Sequence, residues 1–307
     1  MMVLILGVTG SGKGRLAFEL AAKLGAEIIS IDSMKVYRRM NIGTAKPPVQ
    51  ARREVRYHLI DLLEPSESFS VGAFLNLALE AIEQTKTRKK PIVAVGGTAL
   101  YIKVLLYGLF DGPGTDEEIR DELRARQGTE GLAVLHHELA RVDPDAAQRI
   151  NPNDAKRIIR AMEVYHLTGK PISSLQRQFN AASPMYDWTI IGLRRDKTDS
   201  SSRINRRVKT MIEAGLVDEV RALLAENRPL SMQARCAIGY AEIIDHLAGK
   251  MSLDQAVELI KKNTRHLAKS QRTWFRTFKS VNWLDITPDE PLDRILARTE
   301  QLLNSQL

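Results

Sequence analysis

The sequence holds one cysteine, Cys236, in 307 residues. That excludes an intrachain disulfide and any multi-cysteine zinc site, and it implies a reducing, cytoplasmic setting. Long apolar runs are also missing: no segment approaches the roughly 18 apolar residues of a membrane span. The opening MMVLILG is too short for a signal peptide, lacks a basic stretch and runs straight into a glycine-rich loop. Neither an internal repeat nor a low-complexity tract is visible. What remains, 44% hydrophobic and 27% charged residues, suits one large α/β domain plus a smaller one. The net charge of +8 and a pI near 9.5 favour a polyanionic partner, though the placement of the charges matters more than their sum.

Short apolar runs at VLIL (3–6), EIISI (27–31), YHLID (57–61), PIVAVGG (91–97) and WTIIGL (188–193) read as strands. Helical patterns such as Arg15–Leu24 and Val71–Lys86 separate the first four. Such alternation predicts a parallel sheet with helices on both faces. From about residue 112 to 183 strand patterns vanish, and TDEEIRDELRAR, GLAVLHHELARV and NDAKRIIRAMEVYHLTGKP read as helices. The fold class is therefore α/β: a P-loop-containing parallel sheet flanked by helices, with a helical insertion domain. The boundaries are 1–112 and 186–307 for the core and 113–185 for the insertion.

GVTGSGKG, residues 7–14, has the spacing of a phosphate-binding loop between a strand and a helix. Gly7, Thr9, Gly10, Ser11, Gly12, Lys13 and Gly14 form the candidate anion site. Glycines let successive N–H groups face an anion at a helix N-terminus, and Lys13 adds a full charge. The position after the lysine normally carries the Ser/Thr hydroxyl that ligates Mg²⁺ in triphosphate enzymes. Gly14 cannot supply it. Asp32, at the end of the EIISI strand, faces the crevice where α/β proteins bind ligands, and an N-cap role for it stands beside that reading. Thr98, in GGTALY, is offered to the same crevice.

Projected at about 100° per residue, the segment 260–281 gathers Lys262, Arg265, Lys269, Arg272, Arg276 and Lys279 on one side. Ile260, Leu267, Trp274, Phe278 and Val281 fall on the other, giving an apolar core face and a basic stripe suited to RNA phosphates. On the helix 154–167, Lys156, Arg157 and Arg160 cluster apart from a core face of Ala155, Ile158, Ile159, Met162, Tyr165 and His166. His136, His137, Trp274 and Cys236 read as structural.

Several stretches, in this order, resemble the tRNA dimethylallyltransferases: IDSMKVYRRMNIGTAKP (31–47), YHLIDLLEP (57–65), GGTALY, NPNDAKRIIRAMEVYHLTGKPIS (151–173), RINRRVKTMIEAGLVDEV (203–220), IGY (238–240) and TRHLAKSQRTWFR (264–276). The resemblance implies transfer of a dimethylallyl group from dimethylallyl diphosphate to N6 of adenine 37 in tRNA, with Mg²⁺ near Ser11, Lys13 and Gly14. It matches Asp32 to a general base, Thr98 to an active-site threonine and Arg203 to a diphosphate-facing arginine, with Arg207 one turn on. It also implies tRNA contacts through Ser33, Met34 and Lys35, through Arg120, through Arg235–Tyr240, and through the basic helices with Gln271. The partners implied are the tRNA anticodon stem-loop and dimethylallyl diphosphate, bound by a cytoplasmic monomer without a membrane. Gly14 for Thr or Ser, Lys35 for Gln, Asn41 for Asp, Val8 for Pro and Ser270 for Arg depart from the pattern. Two other readings stay open: a small-molecule kinase sharing the loop, and an RNA-binding protein whose Gly14 has ended its chemistry.

Overall fold

In the computed structural model, which describes residues 1–109, 112–176 and 184–305, the five apolar runs become parallel strands, and a sixth strand that the sequence reading did not include joins them. They are β1 (Met2–Gly7), β2 (Glu27–Ile31), β3 (Tyr57–His58), β4 (Ile92–Gly96), β5 (Thr189–Arg195) and β6 (Val281–Ile286). One sheet holds them in the order β3-β2-β4-β1-β5-β6, with every neighbouring pair parallel. A sheet covered on both faces needs continuous apolar strands, and Val3, Leu4, Ile5 and Leu6 are fully buried.

Along the chain run α1 (Lys13–Leu24), α2 (Val49–Glu54), α3 (Val71–Thr87) and α4 (Ala99–Tyr107), then α5 (Glu117–Glu130), α6 (Leu132–Val142), α7 (Pro144–Arg149), α8 (Ala155–Thr168) and α9 (Ile172–Leu175). After β5 come α10 (Lys197–Glu213), α11 (Leu216–Leu224), α12 (Met232–Arg235), α13 (Tyr240–Leu247), α14 (Leu253–Phe275) and, beyond β6, α15 (Leu292–Asn304). The chain divides into two compact units, Met1–Leu106 with Tyr186–Leu307, and Tyr107–Met185. The expected insertion also includes residues 177–183, which lie outside the described residues.

Register decides where the strands end. Gly96 pairs with both Leu6 and Ile31, so the chain leaves β1, β2 and β4 at one level, along the edge where α/β sheets hold their ligands. Gly96 is required there, because a Cβ would stand 2.0 Å from the Ile31 carbonyl oxygen.

Three expectations are corrected. The strand expected over 57–61 stops at His58: Leu59 (φ 62°) and Asp61 (φ 54°) turn into the left-handed region. The Asp61 carboxylate fixes that turn by pairing with Lys46 and Arg52. The helix expected over 260–281 ends at Phe275, and Ser280 (φ 56°) redirects the chain into β6, so Lys279 and Val281 are not helical. In the second unit His166 is exposed rather than packed. That unit's core is Leu123, Leu135, Leu139, Ile158, Met162 and Val164, with the buried Glu163 carboxylate beside it.

Candidate active site

Residues 8–12 close a tight loop between β1 and α1. The Ser11 N–H donates to the Val8 carbonyl at 3.1 Å, and Gly10 (φ 82°) and Gly12 (φ 95°) take the left-handed backbone this turn demands. Gly12 caps α1 without a side chain; the Lys13 N–H turns to Ser11 Oγ and the Arg15 N–H to the Gly12 carbonyl, which leaves the Gly14 N–H for an anion. Gly7 and Ser11 lie beneath the loop; a Cβ on Gly7 would stand 2.7 Å from Ser11 Oγ. The Lys13 Nζ folds back to donate to the Val8 carbonyl at 3.3 Å.

One helix, α10, grips this loop. Arg203 on α10 donates from Nε to the Gly10 carbonyl at 2.9 Å, and Arg207 donates from Nη2 to Thr9 Oγ1 at 2.6 Å. The buried Arg207 Nε has no partner. The loop opens on a cavity of about 1110 Å³ lined by Lys13, Arg15, Lys35, Lys46, Arg203, Arg206 and Arg207, and by one carboxylate, Asp32. Its other walls include Phe18, Met211, Ile260, Leu267 and Trp274.

Asp32 and Thr98 meet here. Asp32 Oδ1 accepts from the N–H groups of Met34 (2.9 Å) and Lys35 (3.2 Å), so it does cap the turn. Its other oxygen makes no hydrogen bond among the described residues. Thr98 Oγ1 accepts from the Ser33 N–H at 3.3 Å, leaving its proton free to donate.

Lys46 pairs with Asp61, but the cavity still holds more cations than carboxylates, a balance that favours a bound anion. Burial first, then Lys35 and Arg207, push the Lys13 ammonium down to about 7, with Asp32 opposing. Burial lowers Lys35 and Arg207 as well. A bound anion favours protonated Lys13, so above about pH 7 binding must take up a proton. Affinity for inorganic diphosphate is therefore expected to fall as pH rises from 7 to 8.5, with proton uptake seen by calorimetry in two buffers. Lys13→Met should remove that uptake; if uptake persisted, the titrating group would lie elsewhere.

The family model described as IPP transferase covers residues 35–278 of this chain. The chain belongs to the IPP transferase family. It is 46% identical over 284 residues to the tRNA dimethylallyltransferase of Geobacter metallireducens, covering 92% of each chain. It is 43% identical over 286 residues to that of Thermotoga petrophila, covering 93% and 92%. Among solved structures, the tRNA isopentenylpyrophosphate transferase of Bacillus halodurans is 39% identical with a TM-score of 0.73, covering 99% of this chain and 95% of that one. A eukaryotic dimethylallyltransferase acting on tRNA is 27% identical with a TM-score of 0.82, covering 99% and 80%.

In this chain the other expected residues divide into groups. Ser33, Met34 and Lys35 line the cavity, and the exposed Arg235 stands beside it on α12. Cys236, expected to be packed, is exposed and lines the cavity. On α14, Lys269 is exposed and Arg265 donates to Asn205 Oδ1 at 2.7 Å. Arg272 lines a second cavity of about 670 Å³ with Arg276, at the ends of β5 and β6. Leu267 and Trp274, placed in the core by periodicity, are cavity wall instead; Thr264, Ala268, Gln271 and Phe275 are the buried stripe.

Gln271 is only 7% exposed and lines the same cavity rather than the open side of α14. Within the second unit Lys156 and Arg157 are exposed. Arg120 and Arg160 instead pair with the buried Glu163 at 3.0 and 2.7 Å.

Sequence reasoning missed two supports. Arg195, only 8% exposed, donates from Nε to the Ser11 carbonyl at 2.9 Å; two arginines ending a strand beside the crevice were its signal. The Glu219 carboxylate accepts N–H groups of Asn41, Ile42 and Gly43 and the Tyr240 hydroxyl (2.6 Å), fixing the loop before Lys46. Glu219 carried no local sign of that role.

Proposed function

We propose that this chain transfers the dimethylallyl group of dimethylallyl diphosphate to N6 of adenine 37 in the tRNA anticodon stem-loop, releasing diphosphate, as a cytoplasmic monomer. The observation that carries this reading is that Asp32 and Thr98 line one partly apolar cavity with the glycine-rich loop and seven cationic side chains. Family membership supports it.

An exocyclic amine is a weak nucleophile, its lone pair delocalised into the ring. Asp32 accepts the N6 proton as the N–C bond forms, which orients the amine and removes the proton together. The allylic C–O bond breaks, and its electron pair leaves on diphosphate. Lys13, Arg203, Arg207 and the loop N–H groups stabilise that charge as it develops. Thr98 donates toward the departing oxygen. Leu267, Trp274, Ile260 and Met211 suit the hydrocarbon tail. A base in a stem-loop can be splayed into such a site at less cost than one in a duplex. Ser33–Lys35, Arg235, Arg265, Lys269 and Arg272 serve the RNA in this reading, as do Arg120, Lys156, Arg157 and Arg160 of the second unit.

Mg²⁺ is the cofactor this chemistry implies, yet the residues do not fit a protein-ligated ion. Gly14 has no side-chain oxygen, Thr9 Oγ1 is taken by Arg207, and the buried Ser11 Oγ stands 3.4 Å from the Lys13 N–H. Among the described residues no three His, Cys, Asp or Glu stand together as a metal site. Charge neutralisation is therefore assigned to the side-chain cations. A Cβ on Gly14 meets nothing within 4 Å, so Gly14→Thr fits. It is expected to make diphosphate affinity depend more steeply on Mg²⁺ than in the natural chain, measured by equilibrium binding across a Mg²⁺ titration. Equal dependence in both proteins would refute this account of position 14.

The reading as a whole is tested by ³¹P spectroscopy of the reaction. Intact diphosphate is expected from dimethylallyl diphosphate, with no phosphoryl transfer from ATP. Phosphoryl transfer would move the assignment to a kinase.

A further inference from the structure

We propose that Gln271 is a positioning residue for this reaction, holding the phosphate loop at a fixed spacing from the turn that carries Thr98. The inference rests on the transfer reaction proposed above. Gln271 lies on the inner side of α14, 7% exposed. Its Oε1 accepts from the Thr9 N–H at 2.8 Å, and its Nε2 donates to the Gly97 carbonyl at 2.8 Å. The Thr9 amide can only donate and the Gly97 carbonyl can only accept, so both bonds are made by a single orientation of the side-chain amide.

The two partners belong to the two halves of the chemistry. Thr9 opens the loop whose Gly10–Lys13 stretch faces the leaving group, and its hydroxyl already takes Arg207. Gly97 precedes Thr98, whose Oγ1 holds the backbone next to Asp32. One planar amide therefore sets the distance between the leaving-group site and the base. The fit is close: a Cβ on Gly97 would stand 2.6 Å from Gln271 Nε2 and 3.5 Å from Lys13 Nζ. Reacting groups displaced by about 1 Å can lose about a hundredfold in rate. The outward residues of the same helix, Lys269 and Arg272, remain for RNA. Removing the amide should thus change the rate without changing the grip on the stem-loop.

Gln271→Met keeps the length and removes both bonds. Its kcat is expected to fall tenfold to a hundredfold, on the order set by that misplacement, with stem-loop Kd within about twofold of the natural chain. Gln271→Glu keeps an acceptor for Thr9 but, when ionised, has no donor for Gly97. Its rate relative to the natural chain should recover as pH falls and the carboxyl proton returns, a pH response that a purely structural loss would not produce. Affinity for inorganic diphosphate should weaken severalfold in both variants. An unchanged kcat in Gln271→Met would overturn the inference. So would stem-loop affinity falling in step with kcat, which would make Gln271 an RNA contact. If the natural chain made no prenylated RNA, the proposed reaction would fail, and diphosphate affinity would still decide the role of Gln271: unchanged affinity would overturn it.

Discussion

Asp32→Asn is expected to lower the rate of dimethylallyl transfer by about 10²- to 10⁴-fold, the range of a lost general base. The substitution is close to silent for the fold. Asparagine keeps the oxygen that accepts from Met34 and Lys35 N–H, so the turn after β2 survives. It removes the one carboxylate lining a cavity that holds seven cationic side chains. Diphosphate should therefore bind the variant at least as tightly as it binds the natural chain, while turnover collapses. Single-turnover rates and diphosphate titration measure the two effects separately. A variant that lost both would show Asp32 to be a structural cap, whose removal damages the loop.

Arg207→Met should cost about 2.7–4 kcal/mol of transition-state stabilisation, which is roughly a hundredfold to a thousandfold in rate. Arg207 is half-buried, its buried Nε has no partner, and its neighbours Lys13 and Lys35 are also cations. Such a group is costly in the ligand-free protein. Its removal is therefore expected to leave the thermal midpoint unchanged or raised while activity falls, as when a site is built at the expense of stability. Lys13 also loses a charge that holds it down, so its titration should move upward. A lower midpoint with proportionate loss of activity would mean that Arg207 acts through folding.

Much of this site was legible because its parts are local. The loop announces itself by glycine spacing, and Asp32 and Thr98 sit one or two residues past apolar runs that could only be buried parallel strands. What stayed hidden depends on partners far along the chain. Gln271 reaches residues 262 and 174 positions away, and a glutamine on a helix does not announce such partners. Glu219 looked like any acid on an amphipathic helix until its loop was in place. β6 was lost because the helical repeat of basic residues runs on past Phe275, and the turn at Ser280 uses a backbone conformation that serine does not advertise. The pairing of Arg120 and Arg160 with Glu163 was hidden likewise, since two arginines read as a surface while their buried acid reads as an exposed one.

The most direct measurement is the mass of an anticodon stem-loop with adenine at positions 36, 37 and 38 after incubation with the chain, dimethylallyl diphosphate and Mg²⁺. A gain of one dimethylallyl group, abolished when adenine 37 alone is replaced and when Asp32 is changed to Asn, is the expected result. An unmodified stem-loop that nevertheless binds tightly would contradict the transferase and leave an RNA-binding protein without chemistry.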